Sequence, residues 1–152
     1  MKTLHTFLAS LFLLSTLVSC GTKETVEPTS SAPPLIAPVT VVTTVDTVGQ
    51  KMLSTGTFAG ANRYTVGGTV SVFEKAGKRT LVFTNFTASS GPDLRIYVAE
   101  NMAARNFVEL TKLNNSGNFT LDLPTGIDPT KQNFVLIWCK AFSVSFGSAE
   151  LK

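Results

Sequence analysis

The chain has 152 residues, 43% of them hydrophobic and 15% charged, and carries a formal net charge of +3 with one histidine and two cysteines. So small and scattered a positive charge does not make a nucleic-acid surface, which needs basic residues gathered on one face. Neither a GxxxxGK[ST] phosphate loop nor a CxxC thiol-exchange pair occurs, so the usual nucleotide and dithiol chemistries are excluded.

The first segment reads MKTLHTFLASLFLLSTLVSC. Lys2 supplies a positive start, and Phe7 to Val18 form an uncharged run of about a dozen residues, too short for a membrane span of roughly 20. Residues 1–19 are therefore expected to be a signal peptide. Leu17-Val18-Ser19-Cys20 resembles a bacterial lipobox, in which the cysteine thiol is joined to a diacylglycerol and the peptide is cut before it. Cys20 is accordingly the expected lipidation site and membrane lipid its partner, since several acyl chains at about 0.8 kcal/mol per buried methylene hold a protein at a bilayer. Gly21 is not the aspartate associated with inner-membrane retention, which makes the expected location the cell envelope, at the outer membrane on its periplasmic face or the cell surface.

Cleavage there would remove His5, the only histidine, and commit Cys20 to a thioether. The mature chain would then hold one free thiol, Cys139, and no imidazole. Ser-His and Cys-His nucleophile pairs, His-ligated zinc and His-ligated haem all fall away. No internal disulfide can form either, although the export route permits one. An autonomous enzyme is not expected.

Residues 20–50 are rich in Thr, Ser, Pro and Val, with Pro28, Pro33, Pro34 and Pro38 in the first part. That composition buries little apolar surface, and proline extends it, so it reads as a disordered tether. Val39 to Val45 has strand-like composition and could form an ordered edge.

Residues 51–152 suffice for one domain with one core. Val70 and Val72 alternate with polar neighbours, Leu81 and Phe83 do the same after the turn Lys75-Ala76-Gly77-Lys78, and residues 66–86 form a hairpin on this pattern. Leu94, Ile96 and Val98 alternate with Arg95 and Tyr97; Phe119, Leu121 and Leu123 alternate with Thr120 and Asp122. Asn101 to Phe107, about two turns long, is the one stretch with helical character. Phe134 to Trp138 is apolar at every position, as in a strand covered on both faces. Phe142, Val144 and Phe146 return to period two. Turn formers separate these runs at 90–93, 114–117 and 124–129. The expected fold is all-β, a single antiparallel β-sandwich or barrel-like domain.

The run GTFAG at 56–60, the block from Gly67 to Glu100 containing Gly91-Pro92-Asp93-Leu94, and the block from Leu123 to Leu151 containing Trp138-Cys139 and FSVSFG at 142–147 resemble the DM13 domain, a small all-β module of animal surface proteins and bacterial lipoproteins. The resemblance covers roughly residues 55–152. It implies a role in electron transfer centred on a characteristic cysteine, acting as a bare thiol or ligating a prosthetic group such as haem. Cys139 matches that cysteine. Many members carry a histidine near the position of Arg63-Tyr64, and its absence here removes any cysteine–histidine mechanism.

Two readings of Cys139 follow. In the first it is the redox thiol of an anchored electron-transfer accessory, helped by Lys140 beside it and served by a redox partner protein. In the second the domain is a non-catalytic module that binds a surface ligand, and Cys139 is core packing, a common use of cysteine. Haem through Cys139 is the one cofactor left open; of Tyr64, Tyr97, Met52 and Met102, none stands at a spacing that demands it. Asp93 could hold a cation with Asp128 but is more naturally a turn-shaping residue, and Trp138 is better suited to the core than to stacking on a ligand.

Overall fold

The alternation of residues 66–86 becomes a hairpin. Strand β4 (Val66–Lys75) turns through Ala76-Gly77 into β5 (Lys78–Ala88), and both turn residues have positive φ, as the twist of a two-residue hairpin loop requires. The structure, a computed structural model, describes residues 40–152. Around the hairpin stand β1 (Val41–Val42), β2 (Lys51–Thr57), β3 (Ala59–Gly60), β6 (Leu94–Ala99), β7 (Val108–Lys112), β8 (Gly117–Leu123), β9 (Phe134–Cys139) and β10 (Val144–Glu150). They make two five-stranded antiparallel sheets, ordered β1-β8-β5-β4-β2 and β3-β10-β9-β6-β7. The all-β sandwich expected from period two is the fold observed.

One core lies between the sheets. Val70, Val72, Leu81, Phe83, Phe119 and Leu121 enter from the first and Ile96, Val98, Val135, Ile137 and Phe146 from the second. Strict alternation would put Phe83 inward and Phe86 outward, yet both are fully buried. A bulge between them makes this possible: Asn85 takes φ 50°, and its backbone N–H donates to Asn118 Oδ1 at 2.8 Å. Gly68, at φ +98°, makes the facing bulge in β4, where an added Cβ would meet the carbonyls of Thr84 and Asn85 at 2.7 Å. Glycine is required there by both φ and space.

The chain changes sheets at Phe58, between β2 and β3. Thr55 of β2 exchanges two backbone hydrogen bonds of 3.0 Å with Lys152, tying the C-terminal end of the second sheet to the edge of the first. Gly147 of β10 sits where β3 and β4 crowd together; a Cβ there would lie 2.6 Å from the Ala59 carbonyl oxygen and 2.7 Å from Val66 Cγ2.

Two expectations need correction. Residues 101–107 form no helix. Ala104 and Asn106 stand at φ 58° and 47°, a left-handed conformation that a right-handed helix cannot include, and Asn101 Oδ1 instead accepts from the backbone N–H groups of Ala103 and Arg105. Phe142 lies in the turn before β10 and is 60% exposed, so the last strand begins at Val144. The stretch Val39 to Val45 does contribute an edge, limited to Val41 and Val42 paired with Leu121 and Thr120. The lipobox and Cys20 lie outside the described residues.

Candidate functional site

β9 is apolar throughout because both of its faces are covered. Val135, Ile137 and Cys139 point into the core between the sheets, whereas Leu136 and Trp138 join Tyr97, Ala99 and Ala104 in a second cluster on the outer face, with Phe134 and Phe107 packed against it. The irregular segment 101–107 is the lid of that cluster. This explains how a strand in a two-layer protein can lack alternation.

Cys139 is the last residue of β9, opposite Leu94 of β6 and Val144 of β10. Its exposure is 0%. No thiol partner exists for it among the described residues, and the sulfur is enclosed by apolar side chains. Thiol–disulfide exchange requires an attacking sulfur to reach its target, and the folded domain gives no such access. Lys140, expected to stand beside the thiol, turns away: its ammonium pairs with Glu109 at 3.2 Å, and its backbone N–H donates to the Asp93 carbonyl at 2.9 Å.

Haem does not fit at Cys139. Two surface clefts have cavity volumes of about 440 and 350 Å³, and the cysteine lines neither. The other candidate ligands are not brought to it: Met52 and Met102 are exposed, Tyr64 stacks on Phe146 with ring centroids 3.5 Å apart, and Tyr97 belongs to the cluster on the far side of the sheet.

Asp93 and Asp128 serve separate networks. Asp93 clasps Arg95 in two bonds, from Nε to Oδ1 at 2.7 Å and from Nη2 to Oδ2 at 3.2 Å, and this Arg95 bond, with nearby Lys112 and Lys140, holds its carboxyl below the usual range. Asp128 accepts from the Thr130 backbone N–H and hydroxyl, so the turn-shaping role expected of Asp93 is filled at Asp128, and those bonds lower its pKa too. No group of three His, Cys, Asp or Glu among the described residues could hold a metal ion.

Sequence reasoning missed the polar end of the outer cluster. Arg95 Nη1 also reaches Glu109 Oε1 at 2.8 Å, so Asp93, Arg95, Glu109 and Lys140 form one chain of charges. Tyr97 sits beside it, across the sheet from Glu109 on one side and Leu136 on the other. Its ring stacks on Phe107 at 4.4 Å and on Trp138 at 6.2 Å. Period two already placed Arg95 and Tyr97 on one face of β6; Glu109 was missed because β7 was not read as a strand.

Residues 57–151 match the family described as Electron transfer DM13. The chain belongs to the DM13 family. No curated protein and no solved structure gives a significant match. The DM13 domain thus includes nine of the ten strands wholly or in part, from the end of β2 to β10. Electron transfer is the role the family description attaches to this fold, and Cys139 is its one free thiol among the described residues.

Burial pushes the Tyr97 hydroxyl far above its ordinary value of 10.0, and the negative charge of the neighbouring Glu109 carboxylate adds to the effect. The phenol therefore stays protonated in the folded DM13 domain at pH values where the unfolded chain ionises. Stability from this source is complete below about pH 10 and falls as the pH rises further, by up to about 1.4 kcal/mol per unit. Urea midpoints measured through the alkaline range should fall for the wild type and fall less steeply for Tyr97→Phe.

Proposed function

We propose that this protein is a lipid-anchored DM13 module of the cell envelope, held at the outer membrane through acylated Cys20, that serves electron transfer by docking to a redox partner rather than by thiol exchange at Cys139. The observation that carries the reading is the complete burial of Cys139 inside a domain of an electron-transfer family. A thiol closed off by two sheets cannot form a mixed disulfide with a partner; it can only pack, or exchange an electron through intervening protein. The redox-thiol expectation is narrowed accordingly. Cys139 stands as a core residue, and the outer face of the second sheet becomes the surface through which a partner would act.

The anchor is tested by producing the full chain and its Cys20→Ala variant in a bacterial host and partitioning each between detergent and water. The wild type should enter the detergent phase and label with palmitate, and the variant should do neither. Equal partitioning would remove the anchor. The docking half is tested by the native alkylation rate of Cys139: a folded thiol that reacts as fast as the denatured one would restore thiol exchange.

A further inference from the structure

Two of the turn-forming stretches, 90–93 and 114–117, meet at one end of the sandwich. Residues 89–93 carry the chain from β5 of the first sheet to β6 of the second, and residues 113–116 carry it back from β7 to β8. Between them lies the cleft of about 350 Å³, near the small end of the range for small-molecule sites. Strand β1 pairs with Leu121 and Thr120, farther along β8, and does not cross it.

Backbone bonds fix the walls of this cleft. The Leu113 N–H donates to the Leu94 carbonyl at 2.8 Å and joins one crossing to the other. The Ser89 N–H donates to the Thr65 carbonyl at 2.8 Å, and the Ser89 hydroxyl accepts from the Thr65 N–H at 2.8 Å. Phe86 and Leu94, both buried in the core, and the partly buried Leu113 make an apolar floor. Around it stand Ser90, Asn114, Asn115 and Ser116, none of which spends its side chain on a hydrogen bond to another described residue. A rigid scaffold that holds uncommitted polar groups on loops is ordered before a ligand arrives, so little entropy is lost on binding.

The chemistry of the rim selects the ligand. Serine hydroxyls and asparagine amides both donate and accept, which suits a ligand whose own groups do both, as the hydroxyls of a sugar do, while the C–H face of a sugar ring lies on an apolar floor. No carboxylate lines the cleft, and Lys112 is its one charged side chain. A metal cation, an amine or an amino acid would find no counter-charge there, and a polyphosphate asks for more than one cation. Lys112 is in no ion pair among the described residues, since the nearby Asp93 is clasped by Arg95 at 2.7 Å. Its ammonium is left for a single negative charge on the ligand.

We propose that this cleft is a binding site for a sugar acid, a pyranose ring with one carboxylate, whose hydroxyls bond to Ser90, Asn114, Asn115 and Ser116 and whose carboxylate pairs with Lys112. The inference goes beyond the electron-transfer reading and does not depend on it, because neither Cys139 nor the outer face of the second sheet takes part.

The test records nitrogen-15 NMR spectra of the purified full chain as D-glucuronate is added, with D-glucose and acetate added in separate titrations. Glucuronate should shift the amide signals of residues 88–94 and 112–116 and leave those of Gly126 and Ile127, in the other cleft, in place. Glucose, which lacks the charge, should bind about tenfold more weakly, the contribution of one charge-assisted hydrogen bond, and acetate should not saturate the site. Lys112→Met, a change at an exposed position, should weaken glucuronate to the level of glucose and leave glucose unchanged, whereas Asn115→Ala should weaken both. Equal binding of glucose and glucuronate, acetate saturating the same signals as tightly as glucuronate, shifts centred elsewhere, or no shifts at all would overturn the assignment. If either variant does not fold, the three probes compared on the wild type decide. The readout is binding alone, so its failure leaves the anchor and thiol-protection results standing on their own.

Discussion

Native alkylation of Cys139 should run at least about a thousandfold slower than in denaturant. The sulfur is fully buried between Leu94 and Val144, so a reagent reaches it only when the sandwich opens, and a domain stable by about 5 kcal/mol or more opens rarely enough to give that ratio or a larger one. Following modification by mass while urea is raised separates two routes. A rate that tracks the global unfolding curve means that both sheets must part; a rate insensitive to low urea means that the turn at 140–143 frays locally and exposes the end of β9. The first outcome is expected, because the backbone bond from Lys140 to Asp93 pins that end to the start of β6. Protection of this size is what separates a core cysteine from the exposed, low-pKa thiols that exchange disulfides.

The second large effect is expected at the aromatic centre of the core. Phe83 is fully buried and stacks on Phe119 with centroids 4.3 Å apart, with Phe86 edge-on at 5.6 Å and Phe58 at 5.9 Å. Phe83→Ala removes a ring from the middle of four, and the flanking strands of an antiparallel sheet cannot collapse into the space. A loss of about 3–5 kcal/mol is expected, a large fraction of the about 5–15 kcal/mol that stabilises a domain of this kind. The urea midpoint should fall with little change in slope, and Phe83→Leu should recover most of the loss. A cost below about 1 kcal/mol would mean that the ring cluster repacks and that the bulge at Asn85, which turns Phe86 inward, is not needed to fill the core.

Fold class was legible in the sequence because alternation is a local property. The hairpin at residues 66–86 and the run at 119–123 could each be read from neighbours two apart, and both stand in the sheets as expected. The edges were harder. β2 buries none of its residues and so carries no apolar alternation to read, while β7 does alternate, with Val108 and Leu110 buried, but over only five residues. The segment 101–107 misled for a different reason: its composition suits a helix, yet Ala104 and Asn106 adopt positive φ to fold the segment over Tyr97 and Trp138, and that conformation is imposed by tertiary packing.

Cys139 marks the boundary between the two kinds of information. The sequence by itself determined that Cys139 stands at the end of an all-apolar strand, and that the motifs around Gly91-Pro92-Asp93-Leu94 and Trp138-Cys139 resemble those of the DM13 family. It could not determine which way the thiol points, because in a strand apolar on both faces the period-two signal vanishes. Only the tertiary structure decided that, by stacking the second sheet on the first over Val135, Ile137 and Cys139 while folding residues 101–107 over Leu136 and Trp138. It also assembled Asp93, Arg95, Glu109 and Lys140 around Tyr97 from two strands and the turns before β6 and after β9. Their attraction depends on distances in space, which the order of residues along the chain does not contain.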